Sequence, residues 1–265
     1  PWGGARFPVV SLFRGHQREW INPRQDGSRR GRTVLDAYED LLQNGRMGPV
    51  VLVFPGISSD DNTVNAALVN MREPERVAHV RGVGTGRFED YFLEKPMPLV
   101  EAEHPVLPGP AHRGVDGFSL GGLMAVKIAL GHPGLFTSVG AYDGLYFYNQ
   151  RLIRDRALKK SLFDAVFGVP RDLAWVARNN PAHQIQKVSV DVLARMKWFI
   201  EYGPEAGEPG DSNYYRGRDL VRQLARRGVR NDGGVVADGH HDWATADAHL
   251  ARTLPKHWEA LRPRD

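Results

Sequence analysis

The sequence predicts an α/β fold: a mostly parallel central sheet with helices on both faces. Three observations carry that reading. Short β-branched or apolar runs alternate with longer amphipathic segments, the pattern of parallel strands joined by helical crossovers. One of these runs, Val50-Val51-Leu52-Val53-Phe54, is apolar on both faces, as a strand is when helices cover both sides of its sheet. A further run ends in a glycine-flanked corner that leads straight into a small-residue helix start, Gly117-Phe118-Ser119-Leu120-Gly121-Gly122. At 265 residues and 42% hydrophobic, the chain can bury most of its unfolded surface in one domain spanning 1–265.

In chain order, strands are expected near 9–13, 50–54, 77–80, 115–118, 137–141, 197–201 and 234–237. Helices are expected over 34–44, 63–70, 88–100, 120–130, 219–227 and 244–261. Residues 142–196 follow a strand, are rich in aromatics and are too long for a simple crossover. They are expected to be an insert that shapes a ligand pocket, since such insertions gather at the strand-end crevice. The Gly-, Glu- and Pro-rich stretch 205–210 reads as a surface loop.

Composition narrows the function. There is no Cys, which removes disulfides and thiolate metal clusters. No metal or organic cofactor is implied. The longest unbroken apolar run, 50–54, falls far short of the ~20 residues of a membrane helix. Net charge is +4, with Arg clusters at Arg29-Arg30-Gly31-Arg32 and Arg226-Arg227. Acids are interspersed throughout and no helix carries a sustained basic face with aromatic partners, so these clusters read as solvated surface and no nucleic-acid partner is expected. The chain opens on Pro1 with no visible secretory signal; its address is left open, with the cytoplasm favoured.

The Gly-x-Ser-x-Gly pattern places Ser119 between a strand end and a helix start, which is the context in which a serine becomes an exposed nucleophile. A hydroxyl needs a base, and Gly239-His240-His241-Asp242-Trp243 offers two histidines in a loop after the last expected strand. A metal site from Asp238, His240 and Asp242 is the competing reading of that loop. In this fold class the acid lies between serine and histidine, after a late strand. The carboxylates that follow 197–201 are Glu205, Glu208 and Asp211; Asp211 is the expected acid and Glu205 its rival. An oxyanion needs backbone N–H donors, expected from Leu120 and, in the loop after 50–54, from Ile57. The loop Gly82-Val83-Gly84-Thr85-Gly86 lacks the third glycine of a dinucleotide site, since Arg87 stands there.

Three stretches resemble the esterase D and feruloyl-esterase-like branch of the α/β-hydrolases: Phe-Pro-Gly-Ile-Ser-Ser at 54–59, Arg-Gly-Val-Asp-Gly-Phe-Ser-Leu-Gly-Gly at 113–122 and Gly-His-His-Asp-Trp at 239–243. That group also holds S-formylglutathione hydrolases, carbohydrate esterases, siderophore esterases and mycolyltransferases. The resemblance implies an α/β-hydrolase fold, Ser119 as nucleophile and His241, the residue before Asp-Trp, as base. It departs from the family where Phe54-Pro55 replaces the usual His-Gly, and where Gly203 is followed three residues later by Ala206 instead of an acid. The first 48 residues show no match to the family's usual N-terminal strands. The expectation is a serine esterase acting on a small-molecule ester, with Tyr142 and Trp243 in the substrate pocket. An acyltransferase with the same triad and a non-catalytic binding protein on the same fold are the alternatives.

Overall fold

Five strands, β1 (Val9–Phe13), β2 (Val51–Val53), β3 (Arg113–Gly117), β4 (Ser138–Tyr142) and β5 (Lys197–Glu201), build the sheet of a computed structural model that describes residues 4–263. Their order is β2-β1-β3-β4-β5 and every pairing is parallel. Parallel strands need crossovers, and the connecting helices cover both faces. On one face α4 (Leu120–Gly131) is buried from Leu120 to Leu130 and packs with Phe13, Val115, Val139 and Ala141. On the other, α1 (Val34–Gln43) and α10 (Trp243–Leu261) pack against Val10, Leu12, Phe118 and Tyr142. The alternation of these two sets along each strand is the period of two that sends successive side chains to opposite faces.

Between β2 and β3 lie α2 (Phe88–Glu94) and α3 (Pro96–Glu103). The sequence predicts one helix there. It breaks at Lys95, whose φ of −122° and ψ of −74° leave the helical region just before Pro96, because the proline ring crowds the preceding residue. Four short helices, α5 (Asp164–Phe167), α6 (Leu173–Arg178), α7 (Pro181–Lys187) and α8 (Val190–Arg195), follow β4, and α9 (Tyr214–Arg226) follows β5.

Three expected elements are absent. Residues 63–70 form no helix: Ala67 and Leu68 hold positive φ and are fully buried, and the N–H of Ala66 is donated to the Ile57 carbonyl instead of to a helical turn. Residues 77–80 form turns closed by Val77 and Val80. Residues 234–237 form no strand and make an isolated bridge, Val235 to Tyr202, just past the end of β5.

Candidate active site

The corner at Ser119 is enforced by two glycines. A Cβ on Gly117 would stand 2.3 Å from the Gly121 carbonyl oxygen, and one on Gly121 would stand 1.9 Å from the Phe13 carbonyl oxygen. Ser119 itself takes φ 57° and ψ −115°, a region that side-chain-bearing residues rarely occupy. The turn is held by the Ser119 N–H donating to Tyr142 O (2.9 Å) and the Leu145 N–H donating to Ser119 O (3.0 Å). The Ser119 side chain therefore projects at the carboxyl edge of the sheet, over the first turn of α4.

His241 reaches this edge from the loop that opens α10. Its Nε2 lies 3.0 Å from Ser119 Oγ, and its ring packs on Phe118 at 4.9 Å between centroids. Its Nδ1 is hydrogen-bonded to Asp143 Oδ2. That carboxylate is fully buried. It is satisfied by backbone N–H groups: Gly203 (3.1 Å) and Asn213 (2.9 Å) donate to Oδ1, and Asn213 also approaches Oδ2 at 3.0 Å. With Nδ1 protonated towards Asp143, Nε2 is left as an acceptor for the serine proton, the arrangement a general base requires.

The residue against His241 Nδ1 is thus Asp143, not the expected Asp211. Asp211 binds the other histidine: its Oδ2 pairs with His240 Nδ1 at 2.5 Å, and its Oδ1 accepts the His241 backbone N–H at 3.0 Å. The hydrogen bond from His240 holds the Asp211 carboxyl below its usual range, and the same bond raises His240. Asp211 fixes the loop that carries His241 without touching its ring. Glu205 lies elsewhere, accepting the Tyr215 hydroxyl at 2.5 Å. The competing metal reading finds no convergence either. His240 faces Asp211, and Asp242 caps α10 by accepting the Thr245 N–H at 2.8 Å. The sequence signal for Asp143 is an acid directly following a buried strand, at Tyr142-Asp143-Gly144.

Of the two expected oxyanion donors, Leu120 follows Ser119 at the N-terminus of α4, where its N–H has no partner among the described residues. Ile57 is different: its N–H is already donated to Gly15 O at 2.8 Å. The sheet order supplies the reason. β2, which precedes Ile57, is an edge strand, whereas the neighbour of β3, the strand that leads to Ser119, is β1, so the loop beside Ser119 is Arg14-Gly15-His16. Tyr142 and Trp243 are not pocket residues. Tyr142 is fully buried, stacks on Phe118 at 5.8 Å and donates its hydroxyl to His240 O at 2.8 Å. Trp243 is buried edge-on to Trp20 (5.1 Å) and Phe118 (5.3 Å). Both support the layer beneath His241.

The parallel sheet, its helical covering on both faces and the strained corner at Ser119 between β3 and α4 define the class: the structure has the α/β-hydrolase fold. The family model described as "Putative esterase" matches residues 3–257, so it also takes in the N-terminal stretch where the sequence shows no match, and the chain belongs to that Esterase family. Among solved structures, a ferulic acid esterase superposes with a TM-score of 0.73 at 18% identity, covering 97% of this chain and 87% of that one. An S-formylglutathione hydrolase from Agrobacterium tumefaciens gives 0.64 at 18% identity, covering 97% and 85%. In sequence, the chain is 22% identical over 238 residues to esterase Rv1288 of Mycobacterium tuberculosis, covering 76% of this chain and 50% of that protein. The chain spans about half the length of the curated relatives it matches.

Proposed function

We propose that this protein is a serine carboxylic-ester hydrolase that works through an acyl-enzyme on Ser119, with His241 as general base and Asp143 as the carboxylate that orients it. The observation that carries the reading is the contiguous chain Asp143 Oδ2–His241 Nδ1 and His241 Nε2–Ser119 Oγ at 3.0 Å, on a serine held at positive φ. His241 accepts the Ser119 proton as Oγ attacks the ester carbonyl. It then returns that proton to the departing alcohol, leaving an acyl-serine; water, activated by the same imidazole, releases the acid. Asp143 fixes the tautomer and stabilises the imidazolium at each step.

The oxyanion is received by the Leu120 N–H and, from the loop after β1, by the Arg14 backbone N–H. The support for Arg14 is its position beside the nucleophile strand and the lack of any partner for that N–H among the described residues. Its two successors are occupied, since Gly15 N–H and His16 N–H both donate to Glu19 Oε2 (2.8 and 2.7 Å). Residues 142–196 would form the wall of the substrate pocket, because they leave β4 directly at Asp143.

The test is labelling with a fluorophosphonate probe, followed by peptide mapping and a short-chain p-nitrophenyl ester assay. A single adduct on Ser119 with ester turnover, both lost in Ser119→Ala, is the expected result. An adduct without turnover would favour transfer to an alcohol over hydrolysis, and no adduct on the folded protein would remove the catalytic reading.

A further inference from the structure

A cleft of about 1230 Å³ opens between the 3-10 turns that begin at Asn149 and the outer face of α9. One end of it abuts the candidate active site. Leu145 lines the cleft and donates its N–H to Ser119 O, and Asn213 lines it and donates to the Asp143 carboxylate. Its walls carry nine Lys and Arg side chains against three acids. The cleft alone therefore holds an excess of +6, larger than the +4 of the whole chain; the remainder carries 26 basic against 28 acidic residues.

The acids in the cleft are already engaged. Asp155 is held by Arg216 through two hydrogen bonds (2.7 and 2.9 Å), Glu208 accepts the Tyr215 N–H, and Asp219 accepts from Gln223. By contrast, the side chains of Arg151, Arg154, Arg222 and Arg226 form no ion pair or hydrogen bond among the described residues, and all four are exposed. Arg218, Arg222 and Arg226 repeat every four residues along α9. Like charges at that spacing weaken a helix by a few tenths of a kcal/mol, so the charge of the stripe does not help the helix, although Arg218 also lies over the Tyr214 and Tyr215 rings at 4.9 Å. Gathered across a concave wall, such charges focus the potential inside it, and guanidinium groups match phosphate and carboxylate oxygens in pairs.

We propose that this cleft binds the anionic portion of the substrate, a moiety carrying several phosphate or carboxylate groups, and that the ester bond attached to it is presented to Ser119. The proposal rests on the esterase reading for its catalytic half and on the cleft for its binding half.

Titration calorimetry on the intact protein, with tripolyphosphate and with citrate as probes, tests the binding half without turnover. At least one probe should bind with a Kd below about 1 mM at low salt. Arg154→Gln/Arg222→Gln should weaken it tenfold or more, as should raising the salt to about 500 mM. Preference for tripolyphosphate assigns phosphate chemistry, and preference for citrate assigns carboxylate. A second variant, Arg151→Gln/Arg226→Gln, provides a replicate if the first does not fold. Absence of binding by both probes, or binding unchanged in correctly folded variants, would overturn the site. Because probe labelling of Ser119 is read separately, a protein that labels but binds neither anion loses only this proposal. One that binds anions but never labels keeps the cleft and loses the ester.

Discussion

Asp143 and Asp211 show how narrowly a role depends on placement. Both carboxylates hydrogen-bond to the 240–241 loop, but only Asp143 reaches the His241 ring, and it is fully buried whereas Asp211 is half exposed. Removing the negative charge from the buried partner leaves the imidazole free to adopt the wrong tautomer. Asp143→Asn is therefore expected to lower kcat by on the order of 10³- to 10⁴-fold, as in other triads of this kind. Asp211→Asn, which loosens the loop while leaving the ring's partner in place, should cost less than about tenfold. Steady-state kinetics on a p-nitrophenyl ester distinguishes the two, and the reverse ranking would return the acid's role to Asp211. Ser119 and His241 were legible from the sequence because their motifs are local. Asp143 was not, because its pairing spans 98 positions to His241 and depends on which strand ends converge.

Elements with strong local signals were legible too: β1 and β5 have the bounds expected, and α4 and α10 differ by a residue at an end. Where tertiary contacts override local preference, the expectation fails, as at 63–70, whose backbone serves the Ile57 loop instead of its own helix. The corner at Ser119 is an element-scale constraint, since Gly121 lets α4 approach the end of β1. A methyl group there must displace backbone, so Gly121→Ala is expected to destabilise by about 3 kcal/mol and to abolish probe labelling. Gly27, where an added methyl group would meet nothing within 4 Å, is the control: Gly27→Ala should stay within about 0.5 kcal/mol. Thermal melts of the two variants read the difference directly. An unshifted melt for Gly121→Ala would mean that α4 does not approach β1 so closely.

At the scale of the molecule, a buried charged network ties three strands to α10. Asp116 on β3 is bonded by His249 (3.0 Å), His257 (3.1 Å) and Thr253 (3.0 Å), and His249 reaches on to Glu201 on β5 at 2.9 Å. Ser138 on β4 joins through His257 at 2.6 Å. Burial alone would depress His249, yet the charge and hydrogen bonds of Asp116 and Glu201 push it up to about 9 from an ordinary 6.5. Burial likewise opposes ionisation of Glu201, but His249 and Arg252 hold it down to about 2 from 4.5; Asp116 is lowered by the same histidine pair. A raised histidine stabilises fully below its unfolded value and loses that contribution as pH climbs through the folded one. The lowered acids stabilise above their unfolded values and lose that contribution as pH falls. The melting temperature should therefore be highest between about pH 4.5 and 6.5, decline as pH rises towards 9, and fall steeply towards pH 2. His249→Gln should flatten the alkaline limb and cost about 3 to 5 kcal/mol at neutral pH. A limb equally steep in the variant would remove His249 as its source.

By itself, the amino-acid sequence determined what depends on near neighbours: the strand and helix periods, the glycine-flanked corner, the serine, and the histidine that opens the last helix. These follow from backbone sterics and side-chain spacing over a few residues. The tertiary structure decided what depends on which strands lie side by side. The order β2-β1-β3-β4-β5 put β1 rather than β2 beside the strand that leads to Ser119, so the loop at Arg14, rather than Ile57, is the one next to that serine. It brought the Asp143 carboxylate at the end of β4 against His241 and buried Tyr142 and Trp243 beneath that histidine. It also gathered arginines some 70 positions apart, Arg151 and Arg154 with Arg222 and Arg226, into one cleft. Along the chain each cluster is an ordinary solvated pair. Facing one another across a concave wall, their fields add, and only the fold sets that distance.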